Sequence, residues 1–468
     1  MLIGVHLWIV PRRLHSIVRP LYTLAHRWYE RGSEVHVGTQ GHPGPLAGVR
    51  VLEFSEIIAA PFGGTLLSDM GADIIKVEPP QGDPWRGFQP LGLREGRGYI
   101  SLNRGKRGIT LDLNLPEGRE VVHRLIPDMD VVIVNYRPDV AAKLEIDYPR
   151  LSAMNPRLIY CDNTAFGRRG PYSHRPGYDL IAQAVTGLMS VEGRQLEGVP
   201  LVNALPSADI STGVAIAWGI CAALYARERR GHGQRVDTTL MSSALAIQGT
   251  RFMSIEATDT ERREMTLEKI DELRHEGASY QEQLDVVLAV RPVIGNIYYR
   301  CYRTADGFMA VGCLSTPLRV KLLNATGLED WRIGLNPDQI DPTDPETRAR
   351  GEALKKQAED LFATKPTAEW LRILDEAGVP AGPLRFTEEL LDDEQVVENN
   401  YVAEVDHPLM GPIRMAGPMI QMSETPLAVQ GPSPTLGQHT DDVLHELGYT
   451  DDQIAALRER GVLGTPPG

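Results

Sequence analysis

The chain has 468 residues, a formal net charge of −14, 42% hydrophobic and 24% charged residues. That length exceeds what one ordinary core organises, so two or three domains are expected, with the composition of a globular protein. Lys and Arg form no long run, and an acidic chain without a basic face is excluded from having nucleic acid as its main partner.

Residues 1–44 differ from the rest of the chain. MLIGVHLWIV reads as a strand or a signal-like segment without a small-residue cleavage site, and the stretch up to VHVGT reads as a helix and a strand. This one unit resembles the opening of a two-Rossmann glycosyltransferase, and no nucleotide-sugar signature comes after it. It is treated as an extension of unknown role, with a glycosyltransferase-like function as a distant alternative.

From residue 45 strands and helices alternate. VRVLEFS, ADIIKVE, GITLDLN, DVVIVNYRP and PRLIYCDNTAFG read as short buried strands, and IIAAPFGGTLLSDMGA and PEGREVVHRLIPDM as the helices between them. Strand, helix, strand at this spacing argues for a parallel α/β sheet, which binds ligands at the carboxyl ends of its strands. A long helix ends near Arg230, and RVDTTLM closes the block as a last strand. Residues 256–288 read as charged helix, residues 301–313 as a hairpin turning at Asp306-Gly307, residues 333–351 as a linker, and residues 352–363 and 367–377 as helices. The expected organisation is a large Rossmann-like domain, residues 45–240 with 380–468, and a smaller inserted α+β domain, residues 241–379.

Cys161, Cys221, Cys301 and Cys313 lie far apart in apolar or strand-like contexts. Buried reduced thiols and a cytoplasmic location are expected from that usage. No window approaches 18 uninterrupted apolar residues, so neither a spanning helix nor a membrane partner is expected.

There is no Walker loop, G-x-G-x-x-G, H-E-x-x-H or G-x-S-x-G motif. APFGG, residues 60–64, has the wrong glycine spacing for a phosphate loop and reads as close helix packing. His439 reads as structural. Arg104, Lys106 and Arg107 precede a strand, where a solvated turn and an anion site are both open; Asn135, Tyr136 and Arg137 stand at a strand's end, facing a ligand or solvent. Two acids, Asp179 and Asp209, each precede an apolar helical stretch. A carboxylate at a helix start meets unpaired N–H groups that favour its ionised form, which covalent catalysis by Asp requires. Asp is equally a preferred N-cap, so these residues alone leave nucleophile and cap both open.

LAGVRVLEFSEIIAAPFGGTLLSDMGADIIKVEPP, SLNRGKRGITLDLN with PEG, VNYRP, NPRLIYCDNTAFGRRGPY and PGYDLIAQAVTGLMSVEG resemble the corresponding blocks of the family III CoA-transferases, and GHGQRVDTTLM, AGVPAGPL and LGQHTDDVLHELGY are similar to its later blocks. The resemblance covers residues 45–463 in the family's order. It implies a CoA-transferase that moves CoA from an acyl-CoA to a free carboxylic acid, with acyl-CoA as substrate and no metal, in an interlocked homodimer. It makes Asp209 the nucleophile that becomes acylated, with Asp179 and Tyr178 in supporting positions. Carried over by position, CoA contacts fall on Ile58, Ala59, Leu111, Asn114, Asn135, Tyr136, Lys143 and Gly177, with Arg137 beside them. The family's racemases carry a His where this chain has Tyr178. A neutral phenol, with an ordinary pKa of about 10, substitutes poorly for imidazole in proton abstraction. Transfer is therefore the reading, and an acyl-CoA racemase or isomerase the alternative. Ile58, Pro80 and Lys143 depart from the oxalate-using members, as does the missing glycine-rich loop, which points away from oxalate.

Overall fold

The computed structural model describes residues 44–92, 95–289, 294–336, 339–342 and 344–464. The N-terminal extension, and the role read into it, lie outside the described residues.

Six strands form a wholly parallel sheet: β1 (Arg50–Phe54), β2 (Asp73–Glu78), β3 (Arg107–Thr110), β4 (Val131–Val134), β5 (Ile159–Thr164) and β6 (Arg235–Thr239). Their order is β6-β5-β4-β1-β2-β3. The chain starts in the middle, runs outward to β3, then returns to the other side of β1. That reversal opens a crevice between the carboxyl ends of β1 and β4, the ligand-binding position of doubly wound sheets.

Alternation along each strand sends neighbouring side chains to opposite faces, and both faces are covered. The helices that matter here are α1 (Ala59–Asp69), α2 (Pro116–Leu125), α3 (Asp179–Val185), α4 (Ser207–Arg230), α5 (Leu240–Ala246), α6 (Thr440–Glu446) and α7 (Asp451–Glu459). Val51, Ile74, Ile133 and Ile159 meet Leu67 of α1 and Ile216 and Ile220 of α4. Leu52, Ile75, Val132 and Tyr160 meet Val121 and Leu125 of α2, Val443 of α6 and Leu457 of α7. The C-terminal residues thus close a face of the sheet that the chain began to build with β1.

A further core gathers residues 297–379. An antiparallel sheet, β7 (Tyr299–Arg303), β8 (Phe308–Gly312) and β9 (Ala381–Pro383), carries Tyr302, Met309 and Val311 against Phe362, Trp370 and Leu374. Two strands, β10 (Val402–His407) and β11 (Gly411–Ala416), form a separate hairpin.

Four expectations change. The helix Pro345–Phe362 begins inside the stretch read as a linker, because Asp344 caps it through the Thr347 N–H at 2.8 Å. Cys301 is exposed on an edge strand, while Cys161 and Cys313 are buried and all four thiols are free. The long helix starts at Ser207, so Asp209 is its third residue and does not precede it. Finally, α4 is long and apolar enough to span a membrane by length and composition, with mean hydropathy 1.4 over its most apolar 18-residue window, half of it buried. Its composition answers to packing. A Cβ on Gly213 would stand 2.8 Å from the Ala59 carbonyl oxygen and 2.7 Å from the Phe62 ring, and one on Gly63 would stand 2.7 Å from the Ile216 side chain. The two helices cross at a distance only glycine allows.

Candidate active site

Asp209 sits in the first turn of α4, only 7% exposed. Gly213, one turn further, lies on the same helix face and touches α1, which places Asp209 on the side of α4 that addresses the start of α1. A small buried cluster confirms the approach of these elements: Ala208 of α4, Ala59 of α1, Ala182 of α3 and Leu240 and Ala244 of α5. The first turn of α4, which carries Asp209, and the start of α1 are therefore neighbours across one apolar joint.

Asp209 is not a cap. Pro206 occupies the N-cap position, and the capping acceptor comes from another helix. Asp179 Oδ1 accepts the N–H of Ala208 at 2.8 Å and that of Asp209 at 3.1 Å. The Ser207 N–H goes to the Leu205 carbonyl and the Ile210 N–H to that of Pro206. No first-turn backbone N–H of α4 is left for the Asp209 carboxylate, so the stabilising helix end expected from the sequence is taken by Asp179. Burial, and then the charge of Asp179, push the Asp209 carboxyl up to about 7.

Behind Asp179 stands Gln183, wholly buried. Its Nε2 donates to Asp179 Oδ2 at 2.5 Å and its Oε1 accepts the Asn203 N–H at 3.0 Å. Gln183 lies one turn after Asp179 on the same face of α3, so the pairing follows from helical spacing.

The crevice between β1 and β4 is locked by a reciprocal amide pair. Asn135 Oδ1 accepts the Glu56 N–H at 3.0 Å, and its Nδ2 donates to the Glu56 carbonyl at 2.8 Å. The next residue, Ile57, has φ of +74°, a left-handed conformation that costs a β-branched residue strain. Asp83 Oδ1 accepts its N–H at 3.3 Å, and Asp83 Oδ2 is paired with the buried Lys76 at 3.1 Å. Lys76 also donates to the Ser55 carbonyl at 2.6 Å, while Lys106 reaches Glu53 at 2.9 Å and the Pro61 carbonyl at 2.8 Å. Buried charge thus ties the end of β1 to the first turn of α1, and burial pushes Lys106 down to about 8. Burial, with Asp83 adding to it, also raises the Glu56 carboxyl.

The structure gathers most of the sequence-derived residues at the carboxyl edge of the sheet. Ile58 and Ala59 follow β1, Leu111 and Asn114 follow β3, Asn135, Tyr136 and Arg137 follow β4, and Gly177 and Tyr178 lie between β5 and α3. Their availability differs. The Leu111 side chain is buried in the core and its N–H donates to the Glu78 carbonyl at 2.9 Å, leaving only its own carbonyl to meet a ligand. Asn114 is exposed and bonded to Asp112. Tyr136 is half-buried, its phenol pushed well up by desolvation and by Glu56. Arg137 is exposed and paired with Asp139, and Lys143 is exposed at the end of the helix Pro138–Lys143. A Cβ on Gly177 would stand 2.7 Å from that of Ala165, so glycine is needed for close approach. Tyr178 is 64% exposed.

Arg104, Lys106 and Arg107 form neither a solvated turn nor a free anion site. Arg104 pairs with Asp69 at 2.6 Å, Lys106 with Glu53, and Arg107 with Asp73 at 2.8 Å. His439 is structural: its Nδ1 accepts the Gly108 N–H at 3.1 Å, pinning the C-terminal segment to β3. APFGG lies inside α1 and serves helix packing. Among the described residues no His, Cys, Asp and Glu cluster has the makings of a metal site. Sequence reasoning missed Gln183, Asn203, Asp83 and Ile57. The four-residue step from Asp179 to Gln183 was a readable signal; nothing local announces a left-handed isoleucine.

A doubly wound parallel sheet thus has beside it a buried carboxylate, Asp209, that has no hydrogen-bond partner among the described residues. The chain belongs to CoA-transferase family III, whose model matches residues 46–440. It is 31% identical over 427 residues to succinyl-CoA:glutarate CoA-transferase of Mus musculus, covering 90% of each chain. It is 33% identical to succinate–glutarate CoA-transferase of Agrobacterium fabrum, covering 86% of this chain and 96% of that one. It is 31% identical to formyl-CoA:oxalate CoA-transferase of Rhodopseudomonas palustris, covering 90% and 97%. Among solved structures, a CAIB/BAIF family protein from Brucella suis matches with a TM-score of 0.65 and 29% identity, over 87% of this chain and all of that one. The chain is an enzyme of the CoA-transferase type, with acyl-CoA as a substrate.

Proposed function

We propose that this enzyme transfers CoA from an acyl-CoA to a free dicarboxylic acid through covalent intermediates on Asp209. The observation that carries the reading is the state of that carboxylate: buried, without a hydrogen bond among the described residues, and raised to about 7. At neutral pH about half of it is ionised, and the ionised form is more basic, hence more nucleophilic, than a surface aspartate. Relatives named for succinyl-CoA with glutarate and for succinate with glutarate support a dicarboxylate.

The ionised Asp209 attacks the thioester carbonyl, the C–S bond breaks, and a mixed anhydride and CoA thiolate result. The thiolate attacks the aspartyl carbonyl and expels the donor acid, leaving CoA on Asp209 as a thioester. The acceptor carboxylate attacks that carbonyl and releases the thiolate, which then takes the acceptor's acyl carbon and frees Asp209. Electrons and charge balance at each step without ATP. Each tetrahedral oxyanion needs fixed N–H donors. The amides beside Asp209 serve Asp179 and are not available. The N–H groups of Ile58, Ala59 and Ala60, opening α1, have no acceptor among the described residues and are the donors we assign.

The enzyme works, on this reading, as an interlocked homodimer in the cytoplasm. Trp218, Tyr225 and Leu205 are more than half exposed along α4 and the turn before it, an apolar stripe suited to a second copy. Equilibrium sedimentation tests the state. For the chemistry, enzyme is incubated with succinyl-CoA and glutarate, oxalate, citramalate or benzoate, then trapped with hydroxylamine or borohydride. An adduct on Asp209 that requires acyl-CoA is the expected result. Proton exchange at the acyl α-carbon without an acceptor acid overturns transfer in favour of racemisation.

A further inference from the structure

Asp209 is aimed by a residue that does not touch it. Asp179 spans the first turn of α4, and its geometry depends on what holds its second oxygen. That holder is Gln183, wholly buried, with both ends of its amide committed: Nε2 to Asp179 Oδ2 at 2.5 Å, Oε1 to the Asn203 N–H at 3.0 Å. A buried amide bonded at both ends cannot rotate without orphaning a polar group. The Asn203 bond further ties the segment leading into α4 to α3, so one side chain fixes both the acceptor and the approach of the helix it caps.

We propose that Gln183 is a positioning residue for the transfer reaction, holding Asp179 across the amides of Ala208 and Asp209 and so fixing the direction in which the Asp209 carboxylate is presented. The proposal rests on Asp209 being the acylated residue. Asp179 is the charged group acting on Asp209. The residues of α1 and α5 in the same joint, Ala59, Leu240 and Ala244, bring no charge. Freed from Gln183, Asp179 turns away, its charge moves off, and the two amides become open to Asp209. Both changes favour the Asp209 anion.

The test is a double-mutant cycle with Gln183→Met, Asp179→Asn and the pair, in full-length enzyme, following CoA exchange across pH. Wild-type enzyme is first shown to form its adduct on Asp209; failure there sinks the functional reading and the positioning role with it. Given the adduct, Gln183→Met is expected to lower kcat about 10- to 100-fold with KM for acyl-CoA within about twofold, and to move the acid limb of the pH profile downward. The double variant is expected to be no slower than Asp179→Asn alone. An unmoved acid limb, or losses that multiply, overturns the proposal while transfer stands. Gln183→Glu covers a failure of the Met variant to fold. A protonated Glu donates to Asp179 as Gln does and its anion cannot, so activity relative to wild type is expected to fall as pH rises. A ratio constant with pH refutes the positioning role.

Discussion

Asp179 and Asp209, thirty residues apart, share one helix end unequally: the Asp209 backbone N–H donates to Asp179 Oδ1 at 3.1 Å, and the Asp209 carboxylate receives no donor in return among the described residues. Asp179 takes the stabilisation, and Asp209, the acid proposed to react, is left buried and with its pKa raised. That division of labour sets the behaviour expected of the enzyme.

The first consequence is a pH profile. With the Asp209 carboxyl at about 7, kcat/KM for acyl-CoA should fall tenfold per unit below that value, because only the anion attacks. Replacing Asp179 by Asn removes the second cause of the shift and leaves burial, so the limb should move to lower pH without vanishing. An initial-rate series in buffers from pH 5 to 9 measures both.

Stability should carry the same signature with the sign reversed. Asp209 rises from an ordinary 3.8 to about 7, so its contribution is fully present below 3.8 and is lost as pH climbs through about 7, amounting to about 4 kcal/mol at most. Asp209→Asn should therefore match wild type in thermal unfolding near pH 4 and exceed it at pH 8. The same variant should lose CoA exchange by about 10⁴-fold or more. A variant as unstable at pH 8 as wild type contradicts the buried charge.

The helix crossing makes a steric prediction. Gly213→Ala puts a methyl 2.8 Å from the Ala59 carbonyl oxygen, so α1 and α4 must part. A loss of about 1–3 kcal/mol is expected in denaturant unfolding. Because Asp209 lies one turn away and the assigned oxyanion donors open α1, kcat should fall more than KM rises, by about 100-fold for a displacement near 1 Å.

The charge network beneath the crevice is structural, and Lys106→Met should show it. Glu53 would keep Lys76, at 3.4 Å, as its remaining cation and the Ser55 hydroxyl at 2.7 Å, while its Oε2 already lacks a hydrogen-bond partner among the described residues. Breaking a buried pair this way costs about 3–5 kcal/mol, readable as a lower urea midpoint with an unchanged slope.

The alternation Val51, Leu52, Glu53, Phe54, the small residues of α1 and the repeating strand–helix spacing were sufficient to announce a parallel sheet covered on both faces. Periodicity is local, and burial on two faces leaves its mark in every strand. The acid at position 209, near a helix start, was equally legible. What only the tertiary structure decided is which group the helix end serves: Asp179 reaches it from another helix and Gln183 holds Asp179 in place. Arg104, Lys106 and Arg107 likewise found carboxylates from distant positions. Hydrogen bonds and ion pairs between remote residues depend on how close two elements come, and that distance is set by packing, which no short stretch of sequence encodes.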